Sequence, residues 1–90
     1  MTATVQTIKQ VIANLRATPA LIAELADTTD LVNEVGLDSL ELLQFMLEIE
    51  AKLSIRIDFE KLEFSHLNSI RVLADFFDTM PPRRTDRGVS

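Results

Sequence analysis

The chain has 90 residues, of which 47% are hydrophobic and 26% are charged, a composition ordinary for one globular domain. A domain of this size buries only about 60 to 65% of the surface that its unfolded chain exposes, which excludes a large multi-domain enzyme and disfavours a deep substrate cavity. There is no cysteine and only one histidine. This excludes disulfides and a protein thiol nucleophile, and it disfavours a metal site.

The net charge of −5 is unevenly distributed. Residues 1–78 carry 13 acidic and 6 basic side chains, whereas residues 79–90 carry one aspartate and three arginines. An acidic body repels phosphate backbones, so we expect no nucleic-acid partner and favour partners with basic patches. No apolar run reaches the roughly 18 residues that a membrane span needs, and the first residues lack the pattern of a signal peptide. We therefore expect no membrane association and a cytoplasmic location.

The first half of the chain predicts one helix, one short helical turn and a long loop. Apolar residues recur at helical spacing near the start, which predicts a helix over about 4–16. Thr18 followed by Pro19 is typical of an N-cap and a first helical position, and predicts a short turn to about residue 26. The polar stretch from residue 27 to residue 36 predicts a loop, because its side chains compete for the local backbone.

A long helix is predicted after Asp38. Asp38 and Glu41 form a capping-box pair, and the helical pattern that follows extends to about Leu53. With Asp38 as the cap, Ser39 takes the first helical position. Its hydroxyl is then expected to face solvent, beside free backbone N–H groups and the positive end of the helix dipole.

The last part of the chain predicts one more helix and a tail. Apolar spacing indicates a helix over about 69–78, with Asn68 or Ser69 as its cap. Residues 79–90 have no apolar period and predict a disordered tail or the remnant of a linker, so residues 1–78 form the folded domain. Six large side chains suit either an acyl-chain pocket or core packing, and their spacing favours the core. They are Phe45, Met46, Phe59, Phe64, Phe76 and Phe77.

The long helix has two apolar faces. The first is a core stripe of Leu42, Phe45, Met46, Ile49 and Leu53, and the second consists of Leu40, Leu43 and Leu47, beginning beside Ser39. A polar stripe holds Glu41, Gln44, Glu48 and Lys52. Two interpretations of the second apolar face are open. Either neighbouring elements cover both sides of the helix, or a partner enzyme docks on the leucines while the carboxylates steer it.

Ser39 is a poor candidate for a hydrolytic nucleophile. That role needs a base and an oxyanion hole, and the only histidine, His66, lies in a predicted loop near the last helix, where a surface or capping role is expected. No Gly-x-Ser-x-Gly motif is present. An isolated Asp-Ser pair most often only begins a helix, so the role of Ser39 depends on its context.

That context resembles the acyl carrier protein family. The segment from Asp30 to Leu43, DLVNEVGLDSLELL, is similar to the family's signature loop ending Leu-Gly-x-Asp-Ser-Leu before a long acidic helix. The segment from Leu67 to Phe77, LNSIRVLADFF, is similar to its closing segment. The resemblance covers about residues 5–78. It implies an all-α fold, a small four-helix bundle of acyl-carrier type with a long first loop, which we expect to be a monomer.

The resemblance also implies a function. Ser39 would be esterified to 4′-phosphopantetheine, which a separate Mg²⁺-dependent phosphopantetheinyl transferase takes from coenzyme A, with Asp38 assisting at the transferase's metal site. The protein would then be a carrier and not an enzyme, holding an acyl or aminoacyl group as a thioester for a ligase or synthase and downstream enzymes. The partner-facing positions are Leu40, Glu41, Leu43, Gln44 and Leu47, to which the helix faces add Glu48. We expect no catalytic residue and no metal ligand in the chain itself.

Departures from the family pattern narrow this expectation. Val35 stands where the family often has leucine, and the Gly-Gly-Asp-Ser run typical of peptidyl carriers is absent. These departures favour a stand-alone carrier of a polyketide, aminoacyl or other secondary-metabolite pathway over the general fatty-acid carrier. The alternative is an unmodified acidic helical adaptor that binds a basic partner through the long helix.

Overall fold

A computed structural model describes residues 3–82, which form a small all-α bundle and confirm the predicted fold class. In chain order the elements are α1 (Ala3–Leu15), α2 (Leu21–Glu24), α3 (Ser39–Leu53), a 3₁₀ helix (Phe64–Asn68) and α4 (Ile70–Asp78). α1 packs against α2, α3 and α4, so it is the central helix. In the described part of the chain, no helix is long and apolar enough to cross a membrane.

α1 is amphipathic and ends in a Schellman motif. Ile8 and Ile12 lie on its predicted apolar stripe and are fully buried. At its end, the N–H of Thr18 donates to the carbonyl of Ala13 at 3.0 Å, while Ala17 takes a left-handed conformation with φ 51°. This turn satisfies the last carbonyls of the helix and fixes the direction in which the chain leaves it.

α2 is shorter than predicted and lacks the predicted cap. The hydroxyl of Thr18 donates to the carbonyl of Arg16 at 2.8 Å, and no side chain caps α2, which follows Ala20. The prediction that Thr18 caps this helix is wrong, because its hydroxyl bonds back to Arg16 at the end of α1. The predicted turn itself is present, since the carbonyls of Thr18 and Pro19 accept the N–H groups of Leu21 and Ile22 at 3.0 and 3.2 Å.

The loop between α2 and α3 is fastened to two other helices at its start. Lys9 Nζ lies 2.9 Å from Asp27 Oδ1, and the carbonyl of Asp27 accepts the N–H of Arg71 at 2.7 Å. The hydrogen bond from Lys9, aided by the charges of Lys9 and Arg71, lowers the pKa of Asp27 below its ordinary value of 3.8. The ionised form of Asp27 therefore stabilises the folded state.

α3 and α4 begin where the sequence predicts. Ser69 caps α4, its hydroxyl accepting the N–H of Val72 at 3.4 Å. α3 ends at Ser54, which is left-handed with φ 54° and whose N–H donates to the carbonyl of Glu50. The carboxylate of Glu50 accepts the N–H of Ile57 at 2.8 Å, which holds the segment after α3 against the helix.

The segment after α4 is packed against the bundle. The N–H of Arg56 donates to the carbonyl of Pro81 at 3.0 Å, and Ile55 pairs with Pro82 in an isolated antiparallel bridge. Thr79 and Met80 donate their N–H groups to the carbonyls of Phe76 and Phe77 in α4, so the first residues of the predicted tail, 79–90, are hydrogen-bonded to the bundle. The rest of that tail lies outside the described residues.

The six large side chains divide between core and surface. Four are buried, namely Phe45, Met46, Phe76 and Phe77, and the ring centroids of Phe45 and Phe77 lie 6.4 Å apart. Core packing is confirmed for these four. It is wrong for Phe59 and Phe64, which are 50% and 74% exposed, because they lie outside the long helices to which the spacing argument applies.

Candidate functional site

A capping box fixes the first turn of α3. Asp38 precedes the helix in an extended conformation, and its Oδ1 accepts the N–H of Glu41 at 2.8 Å. In return, Glu41 Oε1 accepts the N–H of Asp38 at 3.1 Å. The predicted cap is confirmed. The second carboxylate oxygen of Asp38 makes no hydrogen bond within residues 3–82.

Ser39 is the first residue of α3 and is exposed. Within the described range its hydroxyl has no hydrogen-bond partner, and the backbone N–H groups of Ser39 and Leu40 have none either. These N–H groups point along the helix axis at the end where the helix dipole is positive. The structure thus places an unengaged alcohol in a region of positive potential.

The loop that leads to Ser39 is anchored by two buried leucines. Leu37 donates its N–H to the carbonyl of Leu31 at 3.2 Å, and Leu31 donates its own to the carbonyl of Leu67 in the 3₁₀ helix at 3.0 Å. Between the two leucines, Gly36 takes a φ of 80°, a conformation that strains any residue with a Cβ. The loop therefore reaches α3 along a fixed path.

Arg16, the residue after α1, holds the end of this loop against α3. Its Nη2 donates to the carbonyl oxygens of Val35 and Gly36, each at 3.0 Å, and to Glu41 Oε1 at 3.3 Å. Both charged side chains are partly buried. No pattern in the sequence marks Arg16 as a site residue, because its partners lie 19 to 25 positions further along the chain and such contacts have no periodicity.

α3 presents one apolar face to the core and one to solvent. The core face contains the buried Phe45, Met46 and Ile49, with Leu42 and Leu53 partly buried. On the outer face Leu40, Leu43 and Leu47 are 65%, 51% and 55% exposed. Nothing in residues 3–82 covers these three side chains, so the interpretation of a helix packed on both sides is wrong for this part of the chain. We call Leu40, Leu43 and Leu47 the leucine strip.

Polar side chains flank the leucine strip. Gln44 and Glu48 are exposed, and with Leu47 they border an open groove of about 330 Å³ against Leu15. Glu41 differs from Glu48, because its carboxylate is already hydrogen-bonded within the molecule, to the N–H of Asp38 and to the guanidinium of Arg16. Glu48 is consequently the acid beside the strip whose carboxylate has no partner among the described residues.

His66 has a structural role in the 3₁₀ helix. Its Nδ1 accepts the N–H of Glu63 at 2.8 Å, and its ring lies 4.5 Å from that of Phe76, centroid to centroid. This confirms the expected capping role, and no hydrogen bond joins His66 to Ser39. In the part of the chain that the structure describes, no group of three acidic or histidine side chains could hold a metal ion.

A family match spans the exposed serine, the capped helix start and the anchored loop. The family described as "Phosphopantetheine attachment site" matches residues 6–77. The chain belongs to this family, which confirms the resemblance to acyl carrier proteins. Domains of the family carry covalently attached 4′-phosphopantetheine and interact with modifying and biosynthetic enzymes. The comparison with curated proteins gave no match.

Proposed function

We propose that Ser39 is the attachment serine and that the protein is a carrier, not a catalyst, which presents an acyl or aminoacyl group to partner enzymes. The observation that supports this most directly is the exposed hydroxyl of Ser39 at the first position of a capped helix, within the residues that the family match covers. When bound, 4′-phosphopantetheine supplies a terminal thiol that holds the cargo as a thioester. A chain without cysteine has no thiol of its own for this purpose.

In the proposed attachment reaction, Ser39 Oγ forms a bond to the phosphorus of coenzyme A that carries the pantetheine group. The bond from that phosphorus to the bridging oxygen of the diphosphate breaks, and adenosine 3′,5′-bisphosphate leaves with the electron pair. The hydroxyl proton passes to a base of the transferase. Because the hydroxyl has no partner within residues 3–82, its reaction sacrifices no hydrogen bond there.

The first turn of α3 suits the phosphodiester that results. The N–H groups of Ser39 and Leu40 lack acceptors in the described range, and a helix N-terminus favours an anion through both its free donors and its dipole. An exposed negative charge at this position is stabilised by about 0.3–1 kcal/mol. The residues present therefore fit the group that the family carries.

Asp38 is proposed to assist the transferase at its Mg²⁺ ion. Its Oδ1 is held by the N–H of Glu41 at 2.8 Å, which restrains the side chain of Asp38. Oδ2 makes no hydrogen bond in residues 3–82, and the residue is exposed. A hard cation such as Mg²⁺ prefers carboxylate oxygens, so Asp38 offers one pre-oriented ligand beside the reacting hydroxyl.

The leucine strip is proposed as the surface on which partner enzymes dock. Its side chains are exposed beside the attachment serine, and contiguous apolar side chains on a surface mark binding sites. Gln44 and Glu48 flank the strip, while Glu41 contributes charge but not a free carboxylate. The expected partners are the transferase, a loading ligase or synthase and the enzymes that follow, each with a basic, apolar docking surface.

The cargo is proposed to be a polyketide, aminoacyl or related secondary-metabolite intermediate on a stand-alone, monomeric, cytoplasmic carrier. This part of the proposal depends on the sequence departures in the signature loop, namely Val35 and the absence of a Gly-Gly-Asp-Ser run. The core offers no support for a sheltered chain in the described residues, because Phe45 and Phe77 fill its centre and the grooves around it are open.

Intact-mass measurement tests the attachment. We expect the purified chain to gain the mass of one phosphopantetheinyl group when incubated with coenzyme A, Mg²⁺ and a broad-specificity transferase, whereas Ser39→Ala gains none. Ser65→Ala is the matched control, because Ser65 is also an exposed serine in a helical turn. A wild-type chain that stays unmodified, or an equal gain by Ser39→Ala, would contradict the proposal.

The exposed leucine strip also fits the alternative of an unmodified adaptor. In that case Ser39→Ala keeps full function in the native host, while loss of the strip abolishes partner binding. The carrier proposal expects both changes to abolish function. Mass spectrometry of the protein from its native host would show the attached group directly.

A further inference from the structure

We infer that Arg16 is a positioning residue, which fixes the turn that presents Ser39 to the transferase. The inference rests on the proposed attachment at Ser39. Arg16 directly follows α1, 23 positions before the serine in the sequence. Nothing in the structure brings Arg16 itself into hydrogen-bond contact with Ser39. Arg16 must therefore act through the groups that it holds.

Those groups belong to both sides of the junction between loop and helix. A single nitrogen, Nη2, donates to the carbonyl oxygens of Val35 and Gly36 in the loop, and to Glu41 Oε1 in the first turn of α3. Hydrogen bonds from a charged donor are stronger than neutral ones. Because these acceptors lie on either side of Asp38 and Ser39, the guanidinium sets the angle at which the loop enters the helix.

The link from Arg16 to the attachment site passes through Glu41. Glu41 Oε1 accepts from Arg16 at 3.3 Å and from the N–H of Asp38 at 3.1 Å, so the same oxygen serves both. Asp38 in turn accepts the N–H of Glu41. Without Arg16, the Glu41 side chain keeps only its bond to Asp38 and gains rotamer freedom, which loosens the carboxylate proposed to bind the transferase's Mg²⁺.

Arg16 is itself held on a rigid base. Its N–H donates to the carbonyl of Ile12 at 3.1 Å, and Ile12 is fully buried in α1. The left-handed Ala17 then turns the chain away from α1, so the backbone from which the Arg16 side chain extends is held in place. A group that is supported in this way can hold a reactive turn in one geometry.

Kinetics of modification test the inference. We expect Arg16→Gln to lower kcat/KM of the transferase for the apo-protein by about tenfold, the size of effect that loss of one charged hydrogen bond supports. Arg16→Lys should retain part of the rate, because lysine keeps the charge but lacks the planar fork of donors. Assays are run well below the melting temperature of every variant.

The matched control is Arg56→Gln. It removes the same charge beyond the far end of α3, about 20 Å from Ser39 at 1.5 Å per helical residue, and we expect a wild-type rate. Both changes make the chain more acidic, which favours encounter with a basic enzyme. A loss confined to the Arg16 variants consequently cannot arise from steering.

A double variant and amide exchange separate positioning from a general loss of stability. If Arg16 acts through Glu41, then Arg16→Gln combined with Glu41→Gln loses little more than the larger single loss. Amide exchange at Asp38 and Glu41 should quicken in Arg16→Gln, while exchange at Phe45 in the middle of α3 stays unchanged. A purely structural role predicts faster exchange at all three.

The outcomes of the Arg16 and Ser39 proposals are distinguishable. If Arg16→Gln is modified at the wild-type rate and Ser39→Ala is not modified, the inference about Arg16 is wrong while attachment at Ser39 stands. If the wild-type chain is not modified, attachment at Ser39 is wrong. A loss in Arg16→Gln that Asp27→Asn, destabilised at another contact, reproduces would also overturn positioning.

Discussion

The two apolar faces of α3 consist of similar side chains and have opposite surroundings. Phe45, Met46 and Ile49 on one face are buried by the rest of the bundle, whereas the leucine strip on the other is more than half exposed. α1 packs along α3, and nothing in residues 3–82 covers the strip. One face of the helix therefore stabilises the fold, and the other stays exposed in this part of the chain, as the proposed docking surface requires.

This difference allows one helix to stabilise the fold and to serve in the proposed docking. The core face supplies the burial that a small domain needs, while exposed leucines contribute little to folding and suit the proposed docking of a partner. Ser39, the proposed attachment serine, lies at the start of the same helix. Any enzyme that docks on the strip consequently meets a hydroxyl whose position is set by the buried face.

The largest effect is expected when one side chain on each apolar face of α3 is truncated in turn. Phe45→Ala should lower the free energy of unfolding by about 3–5 kcal/mol, since it removes a buried ring that packs on Phe77. Leu43→Ala should change it by only about 0.5 kcal/mol. Urea denaturation followed by circular dichroism measures both, and equal losses would show that the leucine strip is part of the core.

A charge placed on the leucine strip should separate binding from folding. We expect Leu43→Asp to keep the wild-type melting temperature within a few degrees and to lower kcat/KM of the transferase at least about tenfold, as burial of a carboxylate in an apolar contact is costly. Val72→Asp is the control, because Val72 is an exposed apolar residue of α4. An equal effect of the two variants would argue against docking on α3.

The acid beside the strip should make association sensitive to salt. We expect kcat/KM of the transferase for the wild-type chain to fall several-fold between about 0.05 M and about 0.5 M salt, as screening weakens steering by Glu48. Glu48→Lys should start lower and fall less. Glu60→Lys, an exposed change beyond the far end of α3, should behave as wild type, and salt-independent kinetics would contradict the proposed steering.

The contact between Lys9 and Asp27 within the bundle should make the stability of the folded state depend on pH. The pKa of Asp27 is lowered first by the hydrogen bond from Lys9, so the folded state favours the carboxylate. The resulting stabilisation is present above the ordinary value of 3.8 and is lost as the pH falls through the lower folded pKa. Melting temperatures from about pH 6 to about pH 2.5 should show Asp27→Asn less stable than wild type at the upper end and approaching it at the lower end.

Asp30 should contribute a second, independent dependence of the melting temperature on pH in that experiment. The backbone N–H of Asn33 is the main cause that lowers its pKa, so Asp27→Asn should retain a residual acid sensitivity. A constant difference in melting temperature across the range would show that Asp27 is not linked to folding through its charge.

The smallest expected effect is a change in the stability of the bundle with no change in docking. Ala17 has a φ of 51° at the end of α1, and Ala17→Gly should raise the free energy of unfolding by up to about 1 kcal/mol by relieving this left-handed conformation. Ala51→Gly, exposed in the last turn of α3, should lower it by at most about 1 kcal/mol. Neither change should affect docking if the two faces of α3 act separately.

The sequence by itself determined the long helices, the capping pair Asp38 and Glu41, and the place of Ser39 at the first position of α3. These features depend on apolar spacing and on side chains three residues apart, so they are readable locally. The short helix was harder, because Thr18 suits both the start of one helix and the end of another, and only the Schellman motif of α1 decides between them.

Only the tertiary structure decided which apolar face of α3 is covered, that Phe64 lies at the surface, and that Arg16 reaches Glu41. The sequence makes both faces of α3 apolar, and burial is settled by which helix packs alongside. The contact of Arg16 with Glu41 spans 25 positions. Such a contact forms only when α1, the loop and α3 are already in place, because no local preference of the chain brings these residues together.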